Sequence, residues 1–432
     1  MKRLIPLVLS LLLLCGCSQN HTNIVGTTPP ATTVVTAPLQ DPEPDAVPDN
    51  KLHDALMNND RICVKIGEKW GFIDKNGNVI IEPVLNDPAK FNAGLLPVND
   101  NGLYGYLDIN GEWAIEPQFM YAAPFSEGVA TIAMLDQNQG GPIYSLINHT
   151  GRTITTFRDG AGRGWPFSKG AAIVGWSNQK YAVVGKNGDM VFETQFDQFQ
   201  GDESTHEFIF EGLIGVRNDG KWGFIDSAGK WIIEAKYEGV DRFENLLCSV
   251  KIDGKWGVID TTGKVIIEPK YDWYVRFSDG LAAVKIDEKY GYIDKEGKVA
   301  IAAEYISAMD FVDGVAWVVT EQGYGLIDSK GNWVLEPTYK SARQFTQGLA
   351  AVQIDDTNWG YVDKTGKLVI QGYRWTTPFY EDGYAVVMNK EAKFAVIDKT
   401  GGSLFDATFD GIGNYSGTID ENNRLHSQTL GR

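Results

Sequence analysis

The side chains best suited to chemistry form a row of aspartates that recur at one position of an internal repeat. Stacked carboxylates of this kind could bind Ca²⁺, which takes about six to eight oxygen ligands. An aspartate that opens a tight turn instead accepts hydrogen bonds from the backbone of that turn. Asn148 and Gly185 replace the carboxylate in two copies, and the Gly-Gly-x-Gly-x-Asp pattern of calcium-binding β-rolls does not occur. We therefore predict a turn role and no metal for Asp74, Asp108, Asp226, Asp260, Asp294, Asp328, Asp363 and Asp398.

Hydrolytic chemistry is the second possibility. The 5 histidines form no His-x-x-His or Glu-x-x-His ligand pattern, and no Gly-x-Ser-x-Gly nucleophile motif occurs. Polar side chains nevertheless accumulate in two inserted segments, 158–166 and 200–208, and insertions on a repeat scaffold often lie on the binding face. An envelope hydrolase is therefore the alternative hypothesis, and the leading prediction is a protein without catalysis or cofactor. The residues of the alternative site are Asp159, Arg163, Asp202, Glu203, His206 and Glu207.

Aromatic side chains outside the repeat frame are the candidates for binding. If they are exposed, such rings can stack on sugar rings or anchor a protein partner. If they are buried, they fill space, which is the commoner fate of large aromatic residues. Trp165 and Trp176 belong to this group. The residues that we predict as a binding set are Trp273, Tyr274, Trp317, Trp375 and Tyr380.

A repeat must position all these side chains, and it fills the chain from about residue 60 to 410. Its frame is an aromatic residue followed by a small one, with a glycine seven residues after the aromatic. Successive aromatics lie 34 to 41 residues apart, so one continuous array is predicted where length alone would suggest two or three domains. The anchor aromatics are Trp70, Tyr104, Tyr144, Tyr181, Trp222, Trp256, Tyr290, Tyr324, Trp359 and Phe394.

The copy anchored at Tyr290 indicates what each unit forms. Residues 281–287 alternate and are rich in small and β-branched residues, which predicts a strand. Residues 290–294 and 298–302 are predicted as the second and third strands. Asp294–Gly297 between them has the form of a type I turn closed by a left-handed glycine. The predicted fold is all-β, a tandem array of about ten three-stranded antiparallel units of about 35 residues each.

Two positions of the frame are restricted to small residues. The turn glycine is present in all ten copies, as expected where the backbone has a positive φ. The residue after the aromatic is Gly in seven copies and Ser145, Ala182 or Ala395 in the other three. We infer that a neighbouring backbone or the aromatic ring lies across this position.

The array could be a propeller-like ring or an open superhelix. A single three-stranded sheet cannot cover its own apolar face, so neighbouring units must pack together. Tyr415–Gly417 lies where a further unit entry would fall, and the C-terminal segment could thus complete the first unit and close a ring. The polar segment 426–432 favours a frayed end instead. Cys63 and Cys248 lie five units apart and are predicted to be buried free thiols.

The first fifty residues have a different character. Lys2 and Arg3 precede the apolar run Leu4–Leu14, which is too short to span a bilayer and is typical of an export signal. The quartet Leu-Cys-Gly-Cys at 14–17 resembles the lipobox of bacterial lipoproteins, which implies cleavage after residue 16 and a lipid on Cys17. We predict a signal peptide at 1–16, a disordered Thr/Pro-rich tether at 17–51, the array at 52–410 with a short helix at 52–59, and a tail at 411–432.

Two units have the pattern Lys-Trp-Gly-(Phe/Val)-Ile-Asp-x-x-Gly-Lys-x-Ile-Ile-Glu-Pro-x-Tyr. They are Lys221–Tyr237, with Ala235 for the proline, and Lys255–Tyr271. This pattern resembles the WG-repeat, or KWG-repeat, family of bacterial proteins, and the resemblance covers about residues 60–410. It implies a β-rich interaction scaffold, often on an exported or surface protein, and carries over no catalytic residue.

These observations together predict a lipid-anchored, extracytoplasmic scaffold of the bacterial cell envelope that binds a protein or a cell-envelope glycan. The formal net charge is −17, and the sequence contains no basic patch. Nucleic acid and direct adhesion to anionic lipid head groups are therefore disfavoured as partners, and the lipid anchor is the predicted contact with the membrane.

Overall fold

The computed structural model describes residues 56, 60–86, 91–135, 141–157, 161–164, 167–176, 181–191, 196–201, 208–405, 408–413, 415–419 and 425–427. The predicted signal peptide, the lipidation site at Cys17, the tether and all but Leu56 of the predicted short helix lie outside these residues. The described residues form strands and turns, and they include no helix that could cross a membrane. The all-β prediction is confirmed.

Ten small antiparallel sheets follow one another along the chain, one for each anchor aromatic. We number the units 1 to 10 in the order of their anchors. The strands of units 1 to 5 are β1 (Arg61–Ile66), β2 (Lys69–Asp74), β3 (Val79–Leu85), β4 (Leu95–Asp100), β5 (Leu103–Asp108), β6 (Trp113–Phe119), β7 (Tyr121–Ala122), β8 (Val129–Leu135), β9 (Pro142–Asn148), β10 (Thr153–Thr156), β11 (Ala161–Gly164), β12 (Ala171–Trp176), β13 (Tyr181–Gly185), β14 (Gln198–Phe199), β15 (Leu213–Asn218), β16 (Lys221–Asp226) and β17 (Trp231–Tyr237).

The second half of the chain repeats the same order with greater regularity. Its strands are β18 (Gly239–Val240), β19 (Leu247–Ile252), β20 (Lys255–Asp260), β21 (Val265–Tyr271), β22 (Leu281–Ile286), β23 (Lys289–Asp294), β24 (Val299–Tyr305), β25 (Ser307–Ala308), β26 (Val315–Thr320), β27 (Gly323–Asp328), β28 (Trp333–Tyr339), β29 (Ser341–Ala342), β30 (Leu349–Asp355), β31 (Asn358–Asp363), β32 (Leu368–Tyr373), β33 (Trp375–Thr376), β34 (Tyr384–Met388), β35 (Phe394–Asp398), β36 (Gly411–Ile412), β37 (Tyr415–Ile419) and β38 (Leu425–Ser427).

The small residue after the anchor aromatic lies beneath a bulge of the third strand. In unit 6, β20 pairs with β21 at Trp256 and again at Val258, but the register shifts between these two pairs. A Cβ placed on Gly257 would lie 2.5 Å from the carbonyl oxygen of Ile267 and 2.7 Å from the backbone nitrogen of Pro269. Real atoms cannot approach so closely, so this position excludes larger side chains. The inference that a neighbouring backbone crosses the position is confirmed.

The three units with a larger residue at this position have an altered third segment. Ser145 of unit 3 pairs directly with Thr156, and their hydroxyl oxygens lie 3.0 Å apart. In units 4 and 10, which carry Ala182 and Ala395, the described part of the third segment makes isolated bridges instead of a strand. The type of residue that follows the anchor aromatic therefore correlates with the form of the third strand of the unit.

The turn that joins the second and third strands is closed by both backbone and side chain. In unit 7 the N–H of Gly297 donates to the carbonyl of Asp294 at 2.9 Å, and the φ of the glycine is 77°. The carboxylate of Asp294 accepts from the N–H groups of Glu296 and Lys298 at 3.1 and 2.8 Å. The predicted turn is confirmed, and the aspartate has the predicted role within it.

In seven units the connecting arm adds a two-residue strand beside the first strand of the sheet, which makes four strands in the regular units and which the sequence analysis did not predict. In unit 6 the arm forms β18, and Gly239 pairs with Lys251 of β19. The arm is held further by Glu238, whose N–H donates to the carbonyl of Lys251, and by Asp241, whose N–H donates to the carbonyl of Ser249, both at 2.9 Å.

The C-terminal segment supplies this fourth strand to the first unit. Gly411 of β36 pairs with Lys65 of β1, as Gly239 pairs with Lys251 in unit 6. Asp410 repeats the supporting bond, because its N–H donates to the carbonyl of Lys65 at 2.9 Å. The expectation of a frayed end is wrong for this segment, because its backbone completes a sheet and Ile412 is fully buried.

The buried side chains of the described residues form ten clusters, one at each junction between successive units. The cluster that joins unit 10 to unit 1 contains Ile62 and Val64 of β1 together with Val396 and Ile412. Units 1 and 10 therefore share a core, and the segment that follows unit 10 completes the sheet of unit 1, so the ten units form a closed, propeller-like ring. Cys63 and Cys248 are both buried and are not joined in a disulfide, as predicted.

Replacing Gly257 with alanine should destabilise the ring strongly, because the new methyl group would clash with the backbone of β21. We expect a loss of about 3 kcal/mol in the free energy of unfolding, seen as a lower melting temperature by calorimetry. Gly141→Ala is the matched control, because a Cβ there has no atom within 4 Å. Equal melting temperatures for the two variants would show that the close approach is not a real constraint.

A chain that ends at Asp410 should lose the closure of the ring. It lacks β36 and the buried side chain of Ile412, so β1 becomes an open edge that can pair with another molecule. We expect a lower melting temperature by calorimetry and self-association by light scattering. A chain that ends at Ser427, the last residue of β38, keeps every described strand; it serves as the control and should behave as the full chain does. Unchanged behaviour of the shorter chain would argue against closure through this segment.

Candidate binding site

Three of the five aromatics predicted as a binding set contribute to the core. Trp317 is fully buried and stacks on Phe345, with 5.9 Å between the ring centroids. Trp375 is 5% exposed, and Tyr380 is half-buried against the cluster that joins units 10 and 1. The prediction of Trp317 and Trp375 as binding residues is therefore wrong, because both side chains are buried at the junctions between units.

Trp273 and Tyr274 are the exposed pair, with relative exposures of 67% and 49%. They lie in the arm that precedes unit 7. In the described part of the chain, this is the one fully described arm that forms no fourth strand. Val275 explains the difference, because its N–H donates to the buried hydroxyl of Ser249 at 2.7 Å. The equivalent N–H in unit 6 donates instead to a carbonyl of its own sheet.

The displaced arm leaves a shallow cleft along β22. Its lining includes Ala283 and Lys285 of β22 together with Asp272, Trp273, Tyr274 and Tyr290. Ala283 is half-buried, whereas Ser249, its equivalent in unit 6, is 2% exposed. The empty volume of about 260 Å³ is partly open to solvent, so the cleft is a shallow surface depression.

The ring of Tyr274 is held in place from two sides. Trp256 packs against it edge-on, with 6.2 Å between the centroids, and the guanidinium of Arg276 lies 5.2 Å from its centroid. Arg276 is itself fixed by Asp241, to which its Nη2 donates at 3.0 and 3.1 Å. An exposed ring with such support loses little conformational freedom when it binds a ligand.

Charged groups around the cleft are matched in pairs. Lys255 donates to Asp272, and Lys285 lies 2.7 Å from Glu288. The hydrogen bond from Lys255 lowers the pKa of Asp272. The cleft thus combines flat apolar rings with hydrogen-bonding groups that carry little net charge.

The geometry supports metal binding and hydrolysis, the other two candidate functions, less well than binding through the exposed rings. The turn carboxylates are engaged by their own backbones, and in six of them hydrogen bonds with turn residues lower the pKa. Among the described residues, no group of three or more His, Cys, Asp or Glu side chains could hold a metal ion. The polar side chains of the alternative hydrolase site, Asp159, Arg163, Asp202, Glu203, His206 and Glu207, lie outside the side chains that the structure describes, as do Trp165 and the Trp176 side chain.

Sequence reasoning found the two exposed rings but missed the residues that support them. The repeat pattern identifies Trp256 as an anchor aromatic and gives no sign of the roles of Arg276, Asp241 and Ser249. One signal was available: the arm of unit 7 carries Trp-Tyr where neighbouring arms carry Gly-Val or Ser-Ala. Two large rings in place of two small residues mark an arm that departs from the repeat.

Comparison with solved structures returns proteins with low sequence identity. A eukaryotic initiation factor is 12% identical, with 82% of this chain and 97% of that chain covered and a TM-score of 0.44. BamB from Moraxella catarrhalis is 11% identical, with 71% and 95% covered and a TM-score of 0.32. The C-terminal WD40 domain of Sif2 is 11% identical, with 78% and 98% covered and a TM-score of 0.32. No curated protein sequence matches the chain.

The model of one protein family matches the chain eight times. Its description is "WG containing repeat", and the matched residues are 70–104, 104–134, 181–222, 222–256, 256–290, 290–322, 324–357 and 359–392. The matches begin at eight of the ten anchor aromatics and omit Tyr144 and Phe394, which are followed by Ser145 and Ala395. These matches extend over more than half of the sequence, and the chain belongs to the WG-repeat family.

Proposed function

We propose that this protein is a lipid-anchored, extracytoplasmic scaffold that binds a protein or a cell-envelope glycan without catalysis. The observation that carries the proposal is the pair Trp273 and Tyr274, which are exposed by 67% and 49% on an otherwise compact β ring. Large exposed aromatic residues are costly on a monomeric surface and are enriched where proteins bind partners.

The rigid surroundings of the pair support a binding role. Tyr274 packs between Trp256 and Arg276, and Val275 is 3% exposed within the junction between units 6 and 7. The exposed rings are therefore attached directly to the core. Binding residues on a rigid scaffold lose less entropy on association than those on a mobile loop.

The anchoring part of the proposal rests on the N-terminal sequence. The charged start, the apolar run 4–14 and the Leu-Cys-Gly-Cys quartet resemble a lipoprotein signal, and the Thr/Pro-rich segment that follows has the composition of an extended tether. Such a tether would hold the ring away from the membrane to which Cys17 is attached. No observation on the described residues favours the hydrolase alternative.

Replacing Cys17 with alanine should abolish the anchor, because the lipid would be attached to this thiol. In a bacterial host fed a radiolabelled fatty acid, we expect the natural chain to take up label and to sediment with membranes. The Cys17→Ala chain should do neither. Cys15→Ala is the matched control, because alanine is also a small residue at that position, and it should be labelled normally. Labelling of the Cys17→Ala chain would contradict the assignment.

The double variant Trp273→Ala, Tyr274→Ala should lose the partner. With residues 51–432 as bait in solubilised envelope, we expect recovery of a specific component to fall by roughly 30-fold, the effect of losing about 2 kcal/mol at a binding hot spot. The control is Val84→Ala, Leu246→Ala, which removes two other exposed apolar side chains, 63% and 59% exposed. Both variants must melt like the natural chain. Equal recovery with the two variants would exclude the aromatic pair as the binding site.

A further inference from the structure

We infer that the cleft beside Trp273 and Tyr274 binds an uncharged glycan, with one pyranose ring stacked on the indole of Trp273. This inference rests on the proposed function and narrows its two partner classes to one. Three observations favour a neutral sugar over a protein: the area of the exposed rings, the balance of charge and the arrangement of polar groups around the rings.

The two exposed rings supply only part of the area that a protein interface needs, whereas they can cover a sugar ring fully. A large aromatic side chain has about 150–250 Å² to bury, so rings that are 67% and 49% exposed offer roughly 250 Å² together. A stable protein interface takes about 800 Å² from each partner. The apolar face of a sugar ring is comparable in size to one aromatic ring, so a short glycan can cover Trp273 and Tyr274 completely.

The balance of charge favours an uncharged ligand. Each cation at the cleft already has a carboxylate partner: Lys255 pairs with Asp272, Lys285 with Glu288, and Arg276 with Asp241. A strongly anionic ligand would have to compete with these carboxylates, and it would approach a protein whose formal net charge is −17. A strongly cationic ligand would have to compete with the three cations. An uncharged glycan competes with neither the carboxylates nor the cations.

The polar groups stand where they can bond sugar hydroxyls. Asp272 and Lys285 line the same cleft as the exposed rings, so an acceptor and a donor flank the stacking surface. The carboxylate of Asp272 accepts hydrogen bonds, and the ammonium of Lys285 donates them. Hydroxyl groups both donate and accept, and a sugar stacked on Trp273 can therefore bond to both residues without displacing the ion pairs.

The test uses the full-length protein in a detergent without a sugar head group. The probes are tetramers of β-linked N-acetylglucosamine, β-linked glucose and α-linked mannose, with polygalacturonate as the anionic comparison. Binding is measured by calorimetric titration and by quenching of tryptophan fluorescence, since Trp273 is the most exposed tryptophan of the described chain. We expect saturable binding of at least one neutral tetramer and weaker binding of polygalacturonate.

Variants assign the binding to the cleft. Trp273→Ala should raise the dissociation constant about tenfold or more, while Trp273→Phe, which keeps a flat ring, should retain most of the affinity. Asp272→Asn, which keeps an acceptor oxygen, should have a smaller effect than Asp272→Ala. A Trp273→Ala protein that binds the tetramer as tightly as the natural chain would overturn the inference.

The remaining outcomes separate this inference from the proposed function. If no neutral tetramer binds at millimolar concentration, while the envelope bait still captures a protein through Trp273 and Tyr274, the glycan inference is overturned and the scaffold function stands. If polygalacturonate binds more tightly than every neutral tetramer, the argument from charge is overturned. If neither a glycan nor a protein depends on the aromatic pair, both proposals fail.

Discussion

The architecture depends on the close approach of two backbones within each regular unit. In unit 6, Gly257 allows the third strand to bulge across it, with the carbonyl of Ile267 where a Cβ would otherwise lie. The bulged strand then carries the Ile267 side chain into the junction with unit 7, where it is 4% exposed and packs beneath the turn glycine Gly297. The absence of a side chain at Gly257 thus permits the packing within unit 6, and the absence of one at Gly297 permits the packing between units 6 and 7.

The same relation joins the last unit to the first. Phe405 of unit 10 lies beneath Gly77, as Ile267 lies beneath Gly297, and β36 lies on β1 in the register of β18 on β19. An open repeat array needs terminal units with polar outer faces, because its end units lack one neighbour. Here every unit has two neighbours, and the tenth junction buries Ile62 and Ile412 like any internal core residue.

Features that recur in every copy could be predicted from the sequence, whereas features set by a single tertiary contact could not. The turn glycine, the small residue and the three strands each appear about ten times, and comparison among copies reveals their physical cause. Trp273 and Trp375 show the limit, because both occupy the first arm position, yet one is 67% exposed and the other 5%. This difference in exposure depends on one hydrogen bond, in which the N–H of Val275 donates to the hydroxyl of Ser249, a residue 26 positions earlier in the chain. For a similar reason the sequence leaves ring closure as one of two alternatives, since the two residues of β36 carry no periodic pattern.

A ring of equal units offers a periodic surface, and a specific site requires one unit that differs. Unit 7 differs at little cost to the core. Val275 and Phe277 remain 3% and 6% exposed in the junction cluster, so the arm keeps its place in the core after it leaves its own sheet. Only Trp273 and Tyr274, which precede these anchors, are released to the surface. The arm of unit 7 therefore exchanges the strand pairing of the other arms for one bond to Ser249, and this exchange leaves two aromatic rings exposed while the residues that follow them stay in the core.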